Sequence, residues 1–256
     1  MPVVTHLNIA PVASLGLESR ERIVLTERGV AEDRRFFIVD DSGRHISQLT
    51  AAEMVQVAAS TDPDGSMLRM TFPNGKVEEG AVRLGAAYQG SVWKHPVIGH
   101  VAEGPWADAL STFLHRPVRV IRCDEPGATR ADGHASLMTA ASLDRLGHHL
   151  GVGGVDGRRF RMLIQLSGET PHEEDGWIGK RVELGETILR ITDPIPRCAM
   201  TTHDPETGAL DLDTLRAIGQ YRGFAGDSGK DLMFGVYGDV DRPGTVRLGD
   251  AVRVLD

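Results

Sequence analysis

Apolar side chains recur along this chain mostly at every second position, in short runs closed by glycine, asparagine or proline, the pattern of strands with one buried face. Arg22–Thr26 and Arg35–Asp40 read this way, the second as a buried strand. Asp41-Ser42-Gly43-Arg44 is a turn signal and predicts His45–Leu49 as the returning strand of a hairpin. Met67–Phe72 stops at the turn Pro73-Asn74-Gly75-Lys76, and Ser91–Ile98 is a further strand. Val118–Arg122, Phe160–Leu166, Arg181–Leu184, Thr187–Ile191, Leu232–Tyr237, Thr245–Leu248 and Ala251–Leu255 continue the series. Helical spacing replaces alternation in three places: Pro105–Phe113, Thr139–Leu150 with Thr139 as cap, and Leu212–Tyr221 with Asp211 or Asp213 as cap. Short, evenly spaced strands with few helices predict a mixed α/β fold dominated by β, built on a closed or nearly closed barrel.

Composition supports this reading and narrows the function. The 30 glycines and 13 prolines supply the turns, and 256 residues suffice for one large domain or two interleaved ones. A net charge of −8 disfavours nucleic acid as a partner. No basic segment followed by an apolar run opens the chain, and no window approaches the ~18 apolar residues of a membrane span, so a soluble cytoplasmic protein is expected. Two cysteines, Cys123 and Cys198, make neither a disulfide framework nor a structural zinc site.

The candidate chemistry centres on Pro194-Ile195-Pro196-Arg197-Cys198-Ala199-Met200-Thr201-Thr202-His203-Asp204-Pro205. The two prolines are expected to stop any strand from running through. A thiol on a stiff irregular segment beside a cation is poised as a nucleophile or a soft-metal ligand, although most free cysteines are simply buried. Cys123, at a strand end, reads as such a core residue. Arg159 and Arg161 fall on one face of the expected strand Phe160–Leu166, a clamp for a phosphate or a solvated charged face. Arg34 adds a third cation, or pairs with Asp33. Glu173-Glu174-Asp175 reads as a solvated acidic turn, with Asp175 available to an arginine.

These residues resemble a known family. Arg159-Phe160-Arg161, then Glu174-Asp175-Gly176-Trp177-Ile178-Gly179, then Pro196-Arg197-Cys198-x-x-Thr201-Thr202-x-Asp204-Pro205-x-Thr207-Gly208 resemble the MOSC domain, found in molybdenum cofactor sulfurases and amidoxime-reducing components. The resemblance implies a MOSC domain over 96–256 packed closely on an N-terminal β-barrel region over 1–95. It implies molybdenum cofactor (Mo-molybdopterin), with Cys198 as the catalytic thiolate and metal ligand. Ser14, Arg34, Arg159 and Arg161 would hold the pterin and its phosphate, and Asp132, Thr201 and Thr202 would lie near the metal. The activity implied is reduction of small N-hydroxylated or N-oxygenated substrates, with electrons from a separate flavin, ferredoxin or cytochrome-type protein. The chain departs from the family's reductases at Ala13, where a lysine is usual, and at Leu49, where an arginine is. Those departures keep open a non-catalytic carrier of cofactor or sulfur using Cys198.

Overall fold

In a computed structural model, which describes all residues except Lys94, Ala131, Asp227 and Asp256, strands dominate. They are β1 (Val4–Ile9), β2 (Glu18–Arg20), β3 (Arg22–Leu25), β4 (Phe36–Asp40), β5 (Ala58–Thr61), β6 (Met67–Thr71), β7 (Val77–Ala81), β8 (Arg83–Val92) and β9 (His95–Glu103). Then follow β10 (Val118–Cys123), β11 (Ala135–Thr139), β12 (Ile164–Leu166), β13 (Arg181–Leu184), β14 (Thr187–Pro196), β15 (Met233–Arg242), β16 (Gly244–Arg247) and β17 (Val252–Leu255). Three α-helices, α1 (Trp106–Phe113), α2 (Ala140–Leu150) and α3 (Thr214–Arg222), flank them among the described residues. Thr139 caps α2 by accepting from Ser142 N–H, and Asp213 caps α3 by accepting from Arg216 N–H. No helix of the described residues is long and apolar enough to cross a membrane.

The largest sheet runs β17-β13-β14-β15-β11-β12-β1-β2. The start of β1 closes onto the start of β17: Val3 bridges Ala251, Val4 N–H donates to Asp250 O (2.9 Å) and Val252 N–H to Pro2 O (2.9 Å). Closure removes the unpaired edges of an open sheet and makes a barrel. Its interior is aliphatic, including Leu7, Ile9, Leu137, Ile164, Val182, Leu189 and Val236. A second sheet, β4-β10-β9-β8, and the meander β5-β6-β7 enclose a second core around Phe36, Ile38, Met54, Leu68, Met70, Trp106 and Leu110. The early strands do not form a separate body. β1 pairs with β12 and β3 pairs with β16, so residues from both ends of the chain build the same barrel.

Four local expectations are corrected. Ser91–Ile98 is not one strand: β8 and β9 form a hairpin that turns between Val92 and His95, with Trp93 at φ 51°. His45–Leu49 returns with only the single bridge Val39–His45 and then enters a turn closed by Ser47 O. Phe160–Leu166 is strand only from Ile164; Gly157–Phe160 is a 3-10 turn ended by Arg161 at φ 53°. The prolines do not stop β14, which runs to Pro196. Its pairing with β13 ends at Arg190, and beyond Ile191 its register against β15 shifts twice. Proline lacks an N–H, and a strand with one free flank and irregular pairing tolerates that loss.

Candidate functional site

Three irregular segments converge beside the mouth of the barrel. The first is the pair 10–14 and 33–36. Ala13 N–H donates to Phe36 O (2.7 Å) and Arg34 N–H to Ala10 O (2.7 Å), which lashes the two runs together. Both Ser14 and Arg34 adopt positive φ, 70° and 54°. Asp33, 1% exposed, is the knot: it accepts from Ala10 N–H (2.8 Å), Arg34 (2.6 Å) and Arg130 Nε (3.2 Å). Burial alone would push its carboxyl up, but the two guanidiniums and the amide outweigh it and hold the pKa below the usual range.

The second segment is the turn 157–161. Asp156 accepts from Arg158 N–H (2.9 Å) and tightens it, so the left-handed Arg161 redirects the chain into β12. Arg161 donates to Leu15 O (2.8 Å). Arg159, 6% exposed, is already neutralised: it bonds Asp211 (2.6 Å) and His203 O (2.8 Å), while its Nε, buried, has no partner.

The third segment leaves β14. Arg197 folds inward, donating from Nε to Phe234 O (2.8 Å) and from Nη1 to Phe160 O (3.0 Å), with its guanidinium 5.3 Å from the Phe160 ring centre. Gly235 makes room for it: at φ 76°, an added Cβ would lie 2.7 Å from Leu137 O and 3.4 Å from Arg197 Nη2. Cys198 follows, exposed, as the cap residue of the 3-10 turn Ala199–Thr202. The hydroxyls of that turn are spent locally. Thr201 Oγ1 shares a hydrogen bond with Thr214 Oγ1 (2.7 Å), and Thr202 Oγ1 donates to Ala199 O (2.6 Å).

Together they wall a cavity of about 170 Å³. Ser14, Arg34, Asp132, Arg159, Arg161, Thr201 and Cys198 all line it. Thr202 does not: it stands outside the lining, with its hydroxyl closing its own turn. Arg159 and Arg161 share the wall although no strand face holds them, because the turn between them directs both inward. The lining also includes Arg197, expected as the cation beside the thiol, and Trp93, Arg130, Met162, Met200 and Tyr237, which sequence reasoning did not assign to a site. For Arg197 the signal was present, since it adjoins the thiol; for Trp93 it was masked by reading a strand through the turn.

The electrostatics of this wall are unbalanced. Arg161 is pulled down to about 9, by burial first and then by Arg34, and Arg197 to about 10, by burial. Both therefore stay charged at neutral pH. Among the described residues neither has a carboxylate within ion-pair distance, whereas Arg34 and Arg159 do. Cations held by carbonyl oxygens and, for Arg197, also by the Met162 sulfur (2.8 Å) retain attraction for an anion. The Tyr237 hydroxyl is pushed up by burial, so it remains a proton donor. A third cluster lies apart from the cavity. Glu174, expected in a solvated turn, is fully buried and accepts from Thr139 Oγ1 (2.8 Å) and Ser142 Oγ (2.8 Å) beside the start of α2. Its neighbour Asp175 pairs with Arg222 (2.6 Å).

Residues 124–253 match the MOSC domain, and residues 1–117 match the MOSC N-terminal beta barrel domain. The chain belongs to the MOSC family. A molybdenum cofactor sulfurase of Caenorhabditis elegans is 28% identical over 92% of this chain and 33% of its own length. Mitochondrial amidoxime-reducing component 1 of Mus musculus is 34% identical over 46% of this chain and 36% of its own length. Human mitochondrial amidoxime reducing component 2 is 35% identical over 45% of this chain and 35% of its own. The chain thus spans about a third of the length of these curated relatives. Among solved structures, the YuaD protein from Bacillus subtilis superposes with a TM-score of 0.49 at 12% identity, over 99% of this chain and 96% of that one. The MOSC segment carries Cys198 and the arginines 159, 161 and 197, while the N-terminal segment contributes Ser14, Arg34 and Trp93.

Proposed function

We propose that this MOSC protein binds molybdenum cofactor in the cavity beside Cys198 and reduces small N-hydroxylated compounds such as hydroxylamines or amidoximes. The observation that carries the reading is the pairing of an exposed thiol with two cations, Arg161 and Arg197, that have no carboxylate partner among the described residues, on one wall. The donor set fits the group. A thiolate is a soft ligand suited to the metal, and guanidiniums suit a phosphate. The unpartnered Nε of Arg159 adds a donor to the same wall.

When bound, the cofactor supplies two-electron redox chemistry at a metal that Cys198 would hold. The chain's own residues do the rest. Arg34, Arg161 and Arg197 orient and neutralise the anionic part of the cofactor, and Ser14, at positive φ, brings its backbone close. Tyr237, its hydroxyl kept protonated by burial, offers a proton donor at the wall, and Asp132 adds a polar side chain there. The net reaction breaks an N–O bond: R–NHOH with two electrons and two protons gives R–NH2 and water. In this reading the two electrons are supplied by a separate donor protein of flavin, ferredoxin or cytochrome type.

The test is molybdenum content, and oxidation of reduced viologen by a hydroxylamine, for wild type and Cys198→Ser made in a host that synthesises the cofactor. Metal near one equivalent with turnover in the wild type, and loss of both in the variant, is the expected result. Equal metal in the two proteins overturns the ligand assignment. A second reading, a carrier that holds cofactor or sulfur on Cys198 without turnover, is favoured by Ala13, a methyl group on the wall where the family's reductases carry a lysine. Metal without substrate-dependent oxidation is its signature.

A further inference from the structure

Among the apolar residues that line the cavity, Trp93 stands out by its backbone and its exposure. Trp93 sits in the β8–β9 hairpin turn at φ 51°, a left-handed conformation that asparagine and glycine enter readily and bulky side chains do not. A hairpin needing only a turn would gain from a smaller residue there. The indole is nevertheless kept, 39% exposed, and it lines the cavity that contains Cys198. It is held firmly from behind. His45 meets it edge-to-face at 5.2 Å, Phe37 meets His45 at 6.1 Å, and Tyr88 meets Phe37 at 5.4 Å. Phe37 and Tyr88 are buried in a core cluster, so this ladder anchors the ring to the fold. His45 is pushed down to about 4 by burial, so at neutral pH it is an uncharged ring. Of the other aromatics on the wall, Phe160 is buried with its faces engaged by Phe234 at 4.4 Å and by Arg197 at 5.3 Å, and Tyr237 is partly buried. Trp93 keeps free aromatic surface on the wall that carries the thiol.

We propose that Trp93 is a specificity-determining platform, on which a planar π-conjugated substituent of the substrate stacks while its N-hydroxy end faces Cys198. The strained backbone, the supporting ladder and the open indole are what such a platform requires, because preorganised aromatic surface gives contact area at little entropic loss. The substrate class this selects within the proposed reductase reading is aryl amidoximes and arylhydroxylamines over their alkyl counterparts.

The test uses the cofactor-loaded chain and the matched probes benzamidoxime and acetamidoxime. Trp106 and Trp177 are buried at 0% and 7% exposure, so a ligand-induced change in indole fluorescence reports Trp93. Benzamidoxime is expected to quench emission and to bind about tenfold more tightly than acetamidoxime. In Trp93→Asn, with binding measured by calorimetry, that preference disappears while the melting temperature holds or rises, because asparagine accepts the turn. Trp93→Phe restores part of the preference. A structural role alone predicts the reverse, a lower melting temperature with the preference intact, and that outcome overturns the proposal. Equal binding of the two probes by wild type also overturns it. If the preference is present but neither probe supports viologen oxidation, the platform stands and the reductase reading falls.

Discussion

Arg122-Cys123 and Arg197-Cys198 are the same dipeptide, each at the end of a strand, and the fold treats them oppositely. β10 is regular and alternates, so Cys123 points into a core with Phe37, Val39 and Ile121 while Arg122 reaches out to Asp64 O (2.7 Å). Burial pushes the Cys123 thiol up to about 12, leaving an inert apolar group. β14 reaches its end through two prolines and two register shifts, and the pattern inverts: Arg197 turns inward onto main-chain carbonyls and Cys198 is exposed. An arginine beside a thiol therefore does not by itself define a reactive cysteine. The geometry of the strand end decides whether the thiol is buried in a core or exposed on the cavity wall. The regions also touch, because the carbonyl of the cavity residue Arg34 accepts from Thr129 Oγ1 (2.8 Å) and weakly from Cys123 Sγ (3.9 Å). The inert thiol backs the wall that the exposed one faces.

Thiol chemistry tests the contrast most sharply. In native protein Cys198 should react with iodoacetamide on the order of a hundredfold faster than Cys123, which becomes available only on unfolding. Similar rates, read by peptide mass analysis, would break the comparison. Next in size is stability. Cys123→Ser places a hydroxyl among apolar side chains and should cost about 2 kcal/mol in urea unfolding, whereas Cys198→Ser should change stability by no more than about 0.5 kcal/mol.

A smaller effect is expected at the cations. Arg161→Met removes a charge that has no carboxylate partner among the described residues, so the bare protein should lose little stability or gain some. The same change should weaken retention of the cofactor's phosphate-bearing part about tenfold, consistent with a charged hydrogen bond worth roughly 1.5–3 kcal/mol. Pterin content after extended dialysis reads this directly, and unchanged content would remove Arg161 from the site.

The mildest effect is on acid stability. The Asp33 carboxyl sits below its ordinary value of 3.8 in the fold, so the unfolded chain takes up its proton first. Its contribution is complete above about pH 4 and disappears as pH falls through the lower folded value. Asp33→Asn should flatten that acid limb in a pH series of thermal melts. Glu174, raised above its ordinary 4.5 by burial, works in the opposite sense, its contribution being lost as pH rises through its folded value. A melting series for Glu174→Gln separates the two.

Most strands were legible because a strand with one core face records it directly by alternation, as in Arg181–Leu184 of the barrel and Met67–Thr71 of the meander. The cap Thr139 was legible for a similar reason, since capping is local chemistry, and the α3 cap was narrowed to Asp211 or Asp213, of which the structure uses Asp213. What failed were positions where a distant partner overrides local preference. Trp93 occupies a turn without a turn residue's chemistry, supported by His45 from another strand connection. Glu174 is drawn out of solvent by hydroxyls of Thr139 and Ser142, more than thirty residues away. Arg161 ends a turn instead of extending a strand, because Asp156 tightens that turn behind it.

By itself, then, the sequence determined the β-rich class, the three helices and the choice of Cys198 and its neighbouring arginines as candidates, because periodicity, capping and residue chemistry act over a few positions. Only the tertiary structure decided that Arg34 from one end of the chain shares a wall with Cys198 from the other, and that Arg159 is neutralised while Arg161 and Arg197 are not. The physical reason is that charge balance and burial depend on what the closed barrel brings within a few ångströms, and neither is written in the spacing of residues along the chain.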